Sequence, residues 1–363
     1  MRSLIYTLLF ASLTHTVTAQ WINPGFLTAN AINGTTILAD NHMYMCGDGG
    51  FLMHSEDCGA TWQALTHPNG GNDMESIYFV NATDGYICSE NGRILKTTDG
   101  GLSWTLSFSP APDDLYKFHF VTDQIGTCVG RSGGIVHTTN AGGTWTAQAS
   151  GTTVRLHGVH FFDNLNGIVV GRSSTYLVTT NGGSTWTPQA TGIPGDLYDL
   201  QFLDASHGFI AAEFGVYQTT NGGATWTAMS MPVNTQWNAV HFADLTNGLA
   251  CGLNGALAVT TDGGITWTSI TTSTTAELFD VELNSSLNGI ATGDAGTIRL
   301  TCELVVVGCM GDFNNSGAVD TADLLLFLGG LGCTGVCEHD LNADAIVNTT
   351  DLLLFLGLMG TSC

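Results

Sequence analysis

The sequence predicts an all-β fold, a seven-bladed β-propeller, followed by a small helical module. Tryptophan recurs at intervals of 40 to 42 residues, and each interval contains four short apolar stretches of strand length. Two similar acidic loops begin 28 residues apart near the C-terminus. Four short strands in a unit of this length are typical of a propeller blade, so the period determines the architecture.

The first residues are typical of a secretory signal. Arg2 precedes an apolar stretch from Leu4 to Leu13, and small residues lead up to Gln20. That stretch is too short to span a bilayer. We therefore expect residues 1–19 to be a signal peptide, and the mature protein to be secreted or extracellular, or at the cell surface.

Composition narrows the classes of partner. The chain has 31 acidic and 8 basic residues, for a net charge of −23, so it should repel nucleic acid and anionic membranes. Its 47 glycines fit short strands joined by tight turns. In an exported protein, an even number of cysteines, here ten, predicts disulfides whose pairing the sequence leaves open.

Each recurring tryptophan ends a similar octet. The octets are SEDCGATW, TTDGGLSW, TTNAGGTW, TTNGGSTW, TTNGGATW and TTDGGITW, ending at Trp62, Trp104, Trp145, Trp186, Trp226 and Trp267. Hydroxyl, Asp or Asn, and Gly at these spacings form a tight turn, because the acid or amide caps backbone amides and Gly accepts a positive φ. The tryptophan should begin the next strand and pack between sheets.

The seventh unit begins normally at Leu278, but no octet follows Thr301. In most repeats the tryptophan precedes a fixed inner-strand position by 15 residues, and Trp21 stands 15 residues before Thr36. The N-terminal strand is therefore expected to complete the seventh blade and close the ring over residues 20–302. A stretch beginning at Glu303 is an alternative for that edge.

The octets resemble the Asp-box, or bacterial neuraminidase repeat. With the spacing of the intervening strands, residues 20–302 resemble the photosystem II assembly and stability factor-like propellers. This resemblance implies the fold and leaves the activity open, because such turns occur in both enzymes and binding proteins.

The sequence leaves open whether the chain is an enzyme, but it favours a non-enzyme, and we assign no catalytic residues. A sialidase needs an arginine cluster, and only five arginines follow the signal segment. Xyloglucanase-like enzymes with these repeats use two facing propellers, and this chain has one. Paired carboxylates at a suitable separation would still permit glycoside cleavage.

Repeat register explains many polar residues. Asn81, Asp163, Asp204 and Asp244 share one turn position, and a recurring glycine four residues later is also interpreted as a turn. Its copies are Gly85, Gly126, Gly167, Gly208, Gly248 and Gly289. One inner-strand register is occupied by Thr36, Tyr78, His119, His160, Gln201, His241 and Glu282. The histidines there either pack between blades or form a metal-binding ring. Trp237 is expected to be a core residue.

A ligand-binding face of the propeller is predicted at the loops leading into the inner strands and at the turns joining the second and third strands. Its candidate residues are Asp48, Glu90, Arg93, Asp113, Asp114, Arg131, Arg172, Asp196 and Glu213.

The C-terminal segment contains two candidate calcium loops, DFNNSGAVDTAD and DLNADAIVNTTD, each followed by an apolar helix. Calcium takes oxygen ligands from loop positions 1, 3, 5, 7, 9 and 12. The first loop offers Asp312, Asn314, Ser316, the Ala318 carbonyl, Asp320 and Asp323. The second offers Asp340, Asn342, Asp344, the Ile346 carbonyl, Asn348 and Asp351. Two bound Ca²⁺ ions are therefore predicted.

Residues 309–363, joined to the propeller by a linker at 303–308, resemble a dockerin domain, a duplicated EF-hand-type unit. The resemblance implies calcium-dependent binding to a cohesin-like protein module through Thr321-Ala322 and Thr349-Thr350. Ala345 replaces the glycine expected at position 6, so the second calcium site is expected to be weaker.

The cysteines fall into one group in the C-terminal module and another in the propeller. Cys309, Cys333, Cys337 and Cys363 flank the duplicated loops, and we expect bonding confined to this module. Cys46, Cys88 and Cys251 share a strand register and are expected to be core residues, whereas Cys58 and Cys302 are a candidate pair across the ring closure.

The preferred function is a secreted, non-catalytic interaction protein whose propeller binds a polysaccharide or a protein and whose tail attaches it through calcium. The alternative is a secreted glycoside hydrolase acting in polysaccharide degradation, attached through its dockerin-like domain. A third interpretation is an assembly or stability factor for an exported complex.

Overall fold

The computed structural model describes residue 21 and residues 27–301, 321–331 and 347–359. Within residues 32–301 the chain forms antiparallel sheets in sequence order. Six sheets have four strands and are named blades 1 to 6, and the last is named the three-stranded sheet.

The strand bounds repeat from blade to blade. Blades 1 to 3 comprise β1 (Ile32–Ile37), β2 (Met43–Gly47), β3 (Phe51–Ser55), β4 (Gln63–Ala64), β5 (Met74–Phe79), β6 (Gly85–Ser89), β7 (Arg93–Thr97), β8 (Thr105–Phe108), β9 (Leu115–Phe120), β10 (Gly126–Gly130), β11 (Gly134–Thr138) and β12 (Thr146–Ala149). Blades 4 to 6 comprise β13 (Leu156–Phe161), β14 (Gly167–Gly171), β15 (Thr175–Thr179), β16 (Thr187–Pro188), β17 (Leu197–Phe202), β18 (Gly208–Ala212), β19 (Gly215–Thr219), β20 (Thr227–Ala228), β21 (Trp237–Phe242), β22 (Gly248–Gly252), β23 (Leu257–Thr260) and β24 (Thr268–Ser269). The three-stranded sheet comprises β25 (Leu278–Leu283), β26 (Gly289–Gly293) and β27 (Ile298–Thr301).

The first strand of each sheet lies innermost and contacts the first strand of the next sheet. Strand β25 lies beside both β21 and β1, so the sheets close into a ring. Every second strand is buried along its whole length, because it is covered by neighbouring sheets on both faces. The ring therefore has a separate apolar cluster at each contact between sheets.

The prediction of a seven-bladed propeller closed by its N-terminal strand is wrong. Six complete blades are found, and the sheet after them has three strands in the described part of the chain. Each complete blade gains its outer strand through an octet turn, and none follows Thr301. Trp21 packs against the cluster between blade 6 and the three-stranded sheet, but it is not in a strand.

The recurring glycine interpreted as a turn is instead the first residue of each second strand. A Cβ on Gly126 would lie 2.4 Å from the ring of Phe120, the last residue of the preceding strand. Phe161 covers Gly167 in the same way. Glycine is required here because the aromatic ring occupies the space of a side chain.

The octets form the predicted turns. In blade 2 the Thr97 hydroxyl accepts the Gly101 amide at 2.9 Å, and the Asp99 carboxylate accepts the Ser103 amide at 2.9 Å. Trp104 is 6 % exposed, so its ring packs between sheets as expected. Trp237 is fully buried, which confirms its assignment to the core.

Four described cysteines, Cys46, Cys88, Cys128 and Cys251, are buried free thiols, which fits core packing for the three that share a register. Cys58 is buried as well. Its predicted pairing with Cys302 involves a residue outside the described ones, as do the tail cysteines, so those bonds stay predictions.

Two helices follow, α1 (Thr321–Gly330) and α2 (Thr349–Leu358). The rings of Phe327 and Phe355 stack with centroids 5.3 Å apart, and both side chains are fully buried. Within the described residues, neither helix has the length and apolarity needed to cross a membrane.

Candidate binding site at the channel mouth

A cavity of about 500 Å³ opens at one end of the central channel and is named the mouth cavity. Its wall includes the second residue of every first strand: Asn33, Glu75, Tyr116, His157, Tyr198, Asn238 and Phe279. These seven residues are named the mouth ring.

A repeated backbone irregularity places the mouth ring. Each first strand pairs in register with its second strand except after its first residue, where the pairing skips the second residue. Such a bulge leaves the extra residue outside the ladder and redirects its side chain. The same device therefore acts in all seven sheets.

The mouth ring divides into two parts by its hydrogen bonds. Asn33 donates to the Met74 carbonyl at 3.1 Å, and Asn238 donates to the Leu278 carbonyl at 2.7 Å. These amides tie one sheet to the next. Nε2 of His157, by contrast, is buried without a partner in the described structure.

Aromatic and basic groups surround His157. Tyr116 stacks on it with centroids 5.9 Å apart, and Tyr198 meets it edge-on at 5.5 Å. The Arg155 guanidinium lies 4.7 Å from the centre of the Tyr116 ring. Arg172 also lines the cavity and pairs with Asp196 at 3.5 Å. One side of the mouth thus concentrates aromatic edges and cations.

Burial perturbs the acid–base behaviour of this wall. It raises the pKa of Glu75 to about 7, helped by repulsion from Asp114 and Asp48. Burial lowers the pKa of His157 to about 4, so the imidazole is neutral at neutral pH. The pKa of Tyr116 is raised to about 12, again chiefly by burial.

An ion cluster named the channel bolt separates the mouth cavity from a second cavity of about 230 Å³. Lys117 Nζ lies 3.3 Å from an Asp280 carboxylate oxygen and 3.7 Å from one of Asp199. These residues come from blade 3, the three-stranded sheet and blade 5, and all three line both cavities. Burial alone lowers the pKa of Lys117, but the two carboxylates outweigh it and raise that pKa.

The lower cavity is lined by the register in which a ring of histidines was predicted. His119 Nδ1 accepts the Phe161 amide at 3.2 Å, and His241 Nδ1 accepts the Leu283 amide at 3.1 Å. These bonds join neighbouring sheets, and the same side chains also line the lower cavity. Among the described residues no group of three or more metal-ligating side chains is assembled.

The predicted binding face has a mainly structural role. Asp114 accepts the Asn91 amide at 3.3 Å, and Asp196 accepts the Ser173 amide at 2.8 Å, so each holds a turn of the preceding blade. Arg131 pairs with Asp114 at 3.3 Å. Of the nine predicted residues (the others are Asp48, Glu90, Arg93, Asp113, Arg172 and Glu213), only Arg172 lines the mouth cavity.

Nine of the twelve predicted calcium ligands lie outside the described residues: Asp312, Asn314, Ser316, Ala318, Asp320, Asp340, Asn342, Asp344 and Ile346. Of the others, Asp323 and Asp351 lie in the first turns of α1 and α2 and are fully buried. The Asn348 amide donates to Asp351 at 2.9 Å. An inward-facing carboxylate beginning each helix fits position 12 of a calcium loop.

Most residues of the mouth cavity were not predicted from the sequence, among them Glu75, Tyr116, Lys117, His157 and Tyr198. The available signal was the repeat itself, because these residues occupy the second and third places of successive inner strands. If side chains alternate strictly along an inner strand, the fifth residue of the strand is expected to face the channel. The bulge at the second residue changes that pattern, and nothing in the sequence marks the bulge.

The family described as photosynthesis system II assembly factor YCF48 matches residues 69–158 and 104–231, less than half of the chain in total. No curated protein gives a significant match. YCF48 from Cyanidioschyzon merolae is 20% identical with a TM-score of 0.63, and the match covers 78% of this chain and 99% of that one. A structure described as YCF48 bound to D1 peptide is 19% identical with a TM-score of 0.64, covering 79% and 96%.

The GH74 xyloglucanase from Xanthomonas campestris is 14% identical with a TM-score of 0.63, covering 77% of this chain and 53% of that one. At these identities the structural matches establish the fold alone. The chain is therefore similar to YCF48-type propellers over its β-sheet domain.

Proposed function

We propose that this chain is an exported, non-catalytic interaction protein. Its propeller binds a polysaccharide or a protein in the mouth cavity, and its tail attaches it through calcium to a cohesin-like module. The mouth cavity carries this proposal: seven bulges direct side chains into it, and part of that ring has no partner within the described protein. Concave sites lined by convergent polar and aromatic side chains are the usual places for ligands to bind.

Propellers of this shape support binding as a function. The similar YCF48 structure is described as bound to D1 peptide, so a relative uses the fold to hold a partner. For the present chain that likeness suggests the type of activity and leaves the ligand to the chemistry of its own cavity.

The tail proposal rests on Asp323 and Asp351, which are buried at equivalent places in two helices of the same length. The loop ligands that precede each helix would supply the other oxygens for Ca²⁺, the ion that favours such a set.

Calorimetry on the full chain tests the tail. We expect two calcium sites, one of which is lost in Asp323→Asn and the other in Asp351→Asn. Asp99→Asn, a matched change in the propeller, should leave both sites intact. Retention of both sites in the two tail variants would contradict the proposed calcium loops.

A glycoside hydrolase is the second candidate, and Glu75 is the observation that favours it. A carboxyl whose pKa is about 7 lines the same cavity as Asp199 and Asp280, which pair with Lys117, and carboxyls in such different environments suit the roles of a general acid and a base. Turnover of a polysaccharide panel that disappears in Glu75→Gln would establish an enzyme. Absence of turnover by a protein that binds the same glycans would support the binder.

A further inference from the structure

We propose that the mouth cavity receives the end of a neutral oligosaccharide chain and that the side chains of blades 2 to 5 recognise its hydroxyl groups. This inference rests on the proposed function, since it names the ligand of the same cavity.

The recognition side is identified by comparing equivalent positions. The side-chain amides of Asn33 and Asn238 donate hydrogen bonds to backbone carbonyls of the next sheet. At the same position of blade 4, His157 Nε2 is buried and makes no hydrogen bond in the described structure. Since the backbone device is the same in all sheets, the difference lies in the side chain: His157 lines the cavity without holding the next sheet through Nε2.

The charge of the cavity favours a neutral ligand. Lys117, Arg155 and Arg172 face four carboxyl groups, those of Glu75, Asp199, Glu277 and Asp280. The opposite charges nearly cancel, although the chain as a whole has a net charge of −23. A strongly charged ligand would gain little from such a balance.

The polar groups of the wall call for a ligand that both donates and accepts hydrogen bonds. Arginines only donate and ionised carboxylates only accept, whereas tyrosine hydroxyls do both. Each sugar hydroxyl offers a donor and two acceptor lone pairs, so adjacent hydroxyls can satisfy neighbouring groups of opposite type. A volume of about 500 Å³ suits a short saccharide segment.

Because the channel bolt blocks the channel below the mouth cavity, the ligand is expected to enter with the end of its saccharide chain. Lys117 joins Asp199 and Asp280 across the axis, at the boundary between the two cavities. A polymer entering the mouth meets this ion cluster and cannot continue through the ring. An internal segment of a long chain would have to bend sharply to reach the same depth.

A peptide fits this wall less well. Peptide recognition relies on exposed strand edges, apolar grooves or basic clusters. The purely apolar wall residues are Ala239, Leu253 and Phe279, and the basic groups are balanced by acids, so this wall offers neither an apolar groove nor a basic cluster.

Calorimetry of the full chain with short neutral oligosaccharides of glucose, xylose or mannose tests the inference. We expect one of these series to bind, and we expect affinity to fall about tenfold or more in Glu75→Leu and in His157→Phe, because each substitution removes a hydrogen-bonding group from the cavity wall. Arg131→Ala at the rim, outside the cavity wall, should retain full affinity. Blocking one end of the bound oligosaccharide should abolish binding.

Acidic and neutral peptides form the second arm of the experiment. Binding of a peptide, lost in Arg155→Ala, without binding of any oligosaccharide would overturn the saccharide inference and leave the proposed interaction function standing. Oligosaccharide binding that survives both cavity substitutions would also overturn it. If neither arm shows a ligand, the saccharide inference and the mouth cavity as a binding site both fail.

Discussion

Side chains at equivalent positions of this ring differ in whether they hydrogen-bond to the neighbouring sheet. Asn238 and His157 occupy the same bulged position, yet the amide holds the next sheet and the imidazole nitrogen holds nothing in the described structure. Polar residues below the channel bolt follow the first pattern, as His119 and His241 do. A histidine near a propeller axis is therefore interpreted by its bonds to the next sheet before any metal is invoked.

The octet turns allow a sharp substitution test. Asp99 accepts the Ser103 amide at 2.9 Å, so Asp99→Ala removes the acceptor and should lower the free energy of unfolding by about 1 kcal/mol. Asp99→Asn should cost much less, because Asn140 accepts the Thr144 amide at 2.9 Å in the equivalent turn. Urea denaturation of both variants provides the measurement, and equal losses would show that the charge matters more than the bonds.

Sheets are joined across the channel as well as around the ring. Lys117 reaches from blade 3 to Asp199 of blade 5 and to Asp280 of the three-stranded sheet. The two aspartates also accept backbone amides from the following sheets, those of Val240 at 3.2 Å and Thr35 at 3.0 Å. The channel bolt thereby couples sheets that share no edge.

Lys117→Met tests this coupling. Removing the cation leaves two carboxylates close together, and breaking a buried pair costs about 3–5 kcal/mol. The Lys117 side chain is 33% exposed, so solvent screening should reduce the loss of unfolding free energy to about 2–3 kcal/mol. Lys96→Met removes a cation outside the channel and is the control. A loss no larger than that of the control would mean that the cluster contributes no net stability.

Repetition made the blades predictable from the sequence. The octets, the tryptophans and the four-strand units each occur six times, and those six copies form complete blades. Closure was not predictable in the same way, since it depended on one tryptophan, Trp21, which packs at the three-stranded sheet without being in a strand.

The mouth cavity escaped prediction for a geometric reason. Strict alternation places the first, third and fifth residues of a strand in known directions, but a bulge after the first residue changes the direction of the second. Tyr116 and His157 looked like ordinary strand positions in the sequence. Their common role becomes visible only when seven strands converge on one axis.

Several titratable groups of the ring are buried in their neutral forms. Burial lowers the pKa of His119 and of His241 to about 4, and that of His160 to about 3. Burial also raises the pKa of Glu282 to about 8, beside the Asp280 charge. Folding therefore keeps the histidines unprotonated and the glutamates protonated, and these two preferences respond to pH in opposite directions.

Stability should consequently be highest close to neutral pH. Between about pH 4 and 6.5 the unfolded chain binds more protons on its histidines than the folded chain does, so stability should rise with pH. Above that range the folded chain retains protons on Glu75 and Glu282, whose pKa values are about 7 and 8, and the unfolded chain does not. Stability should then fall until about pH 8. Thermal unfolding across this range provides the measurement. Because Glu282 holds its extra proton in the folded state from about pH 4.5 up to about pH 8, Glu282→Gln should flatten the alkaline decline and steepen the rise below pH 6.5. A decline that persists in both Glu282→Gln and Glu75→Gln would show that other groups cause it.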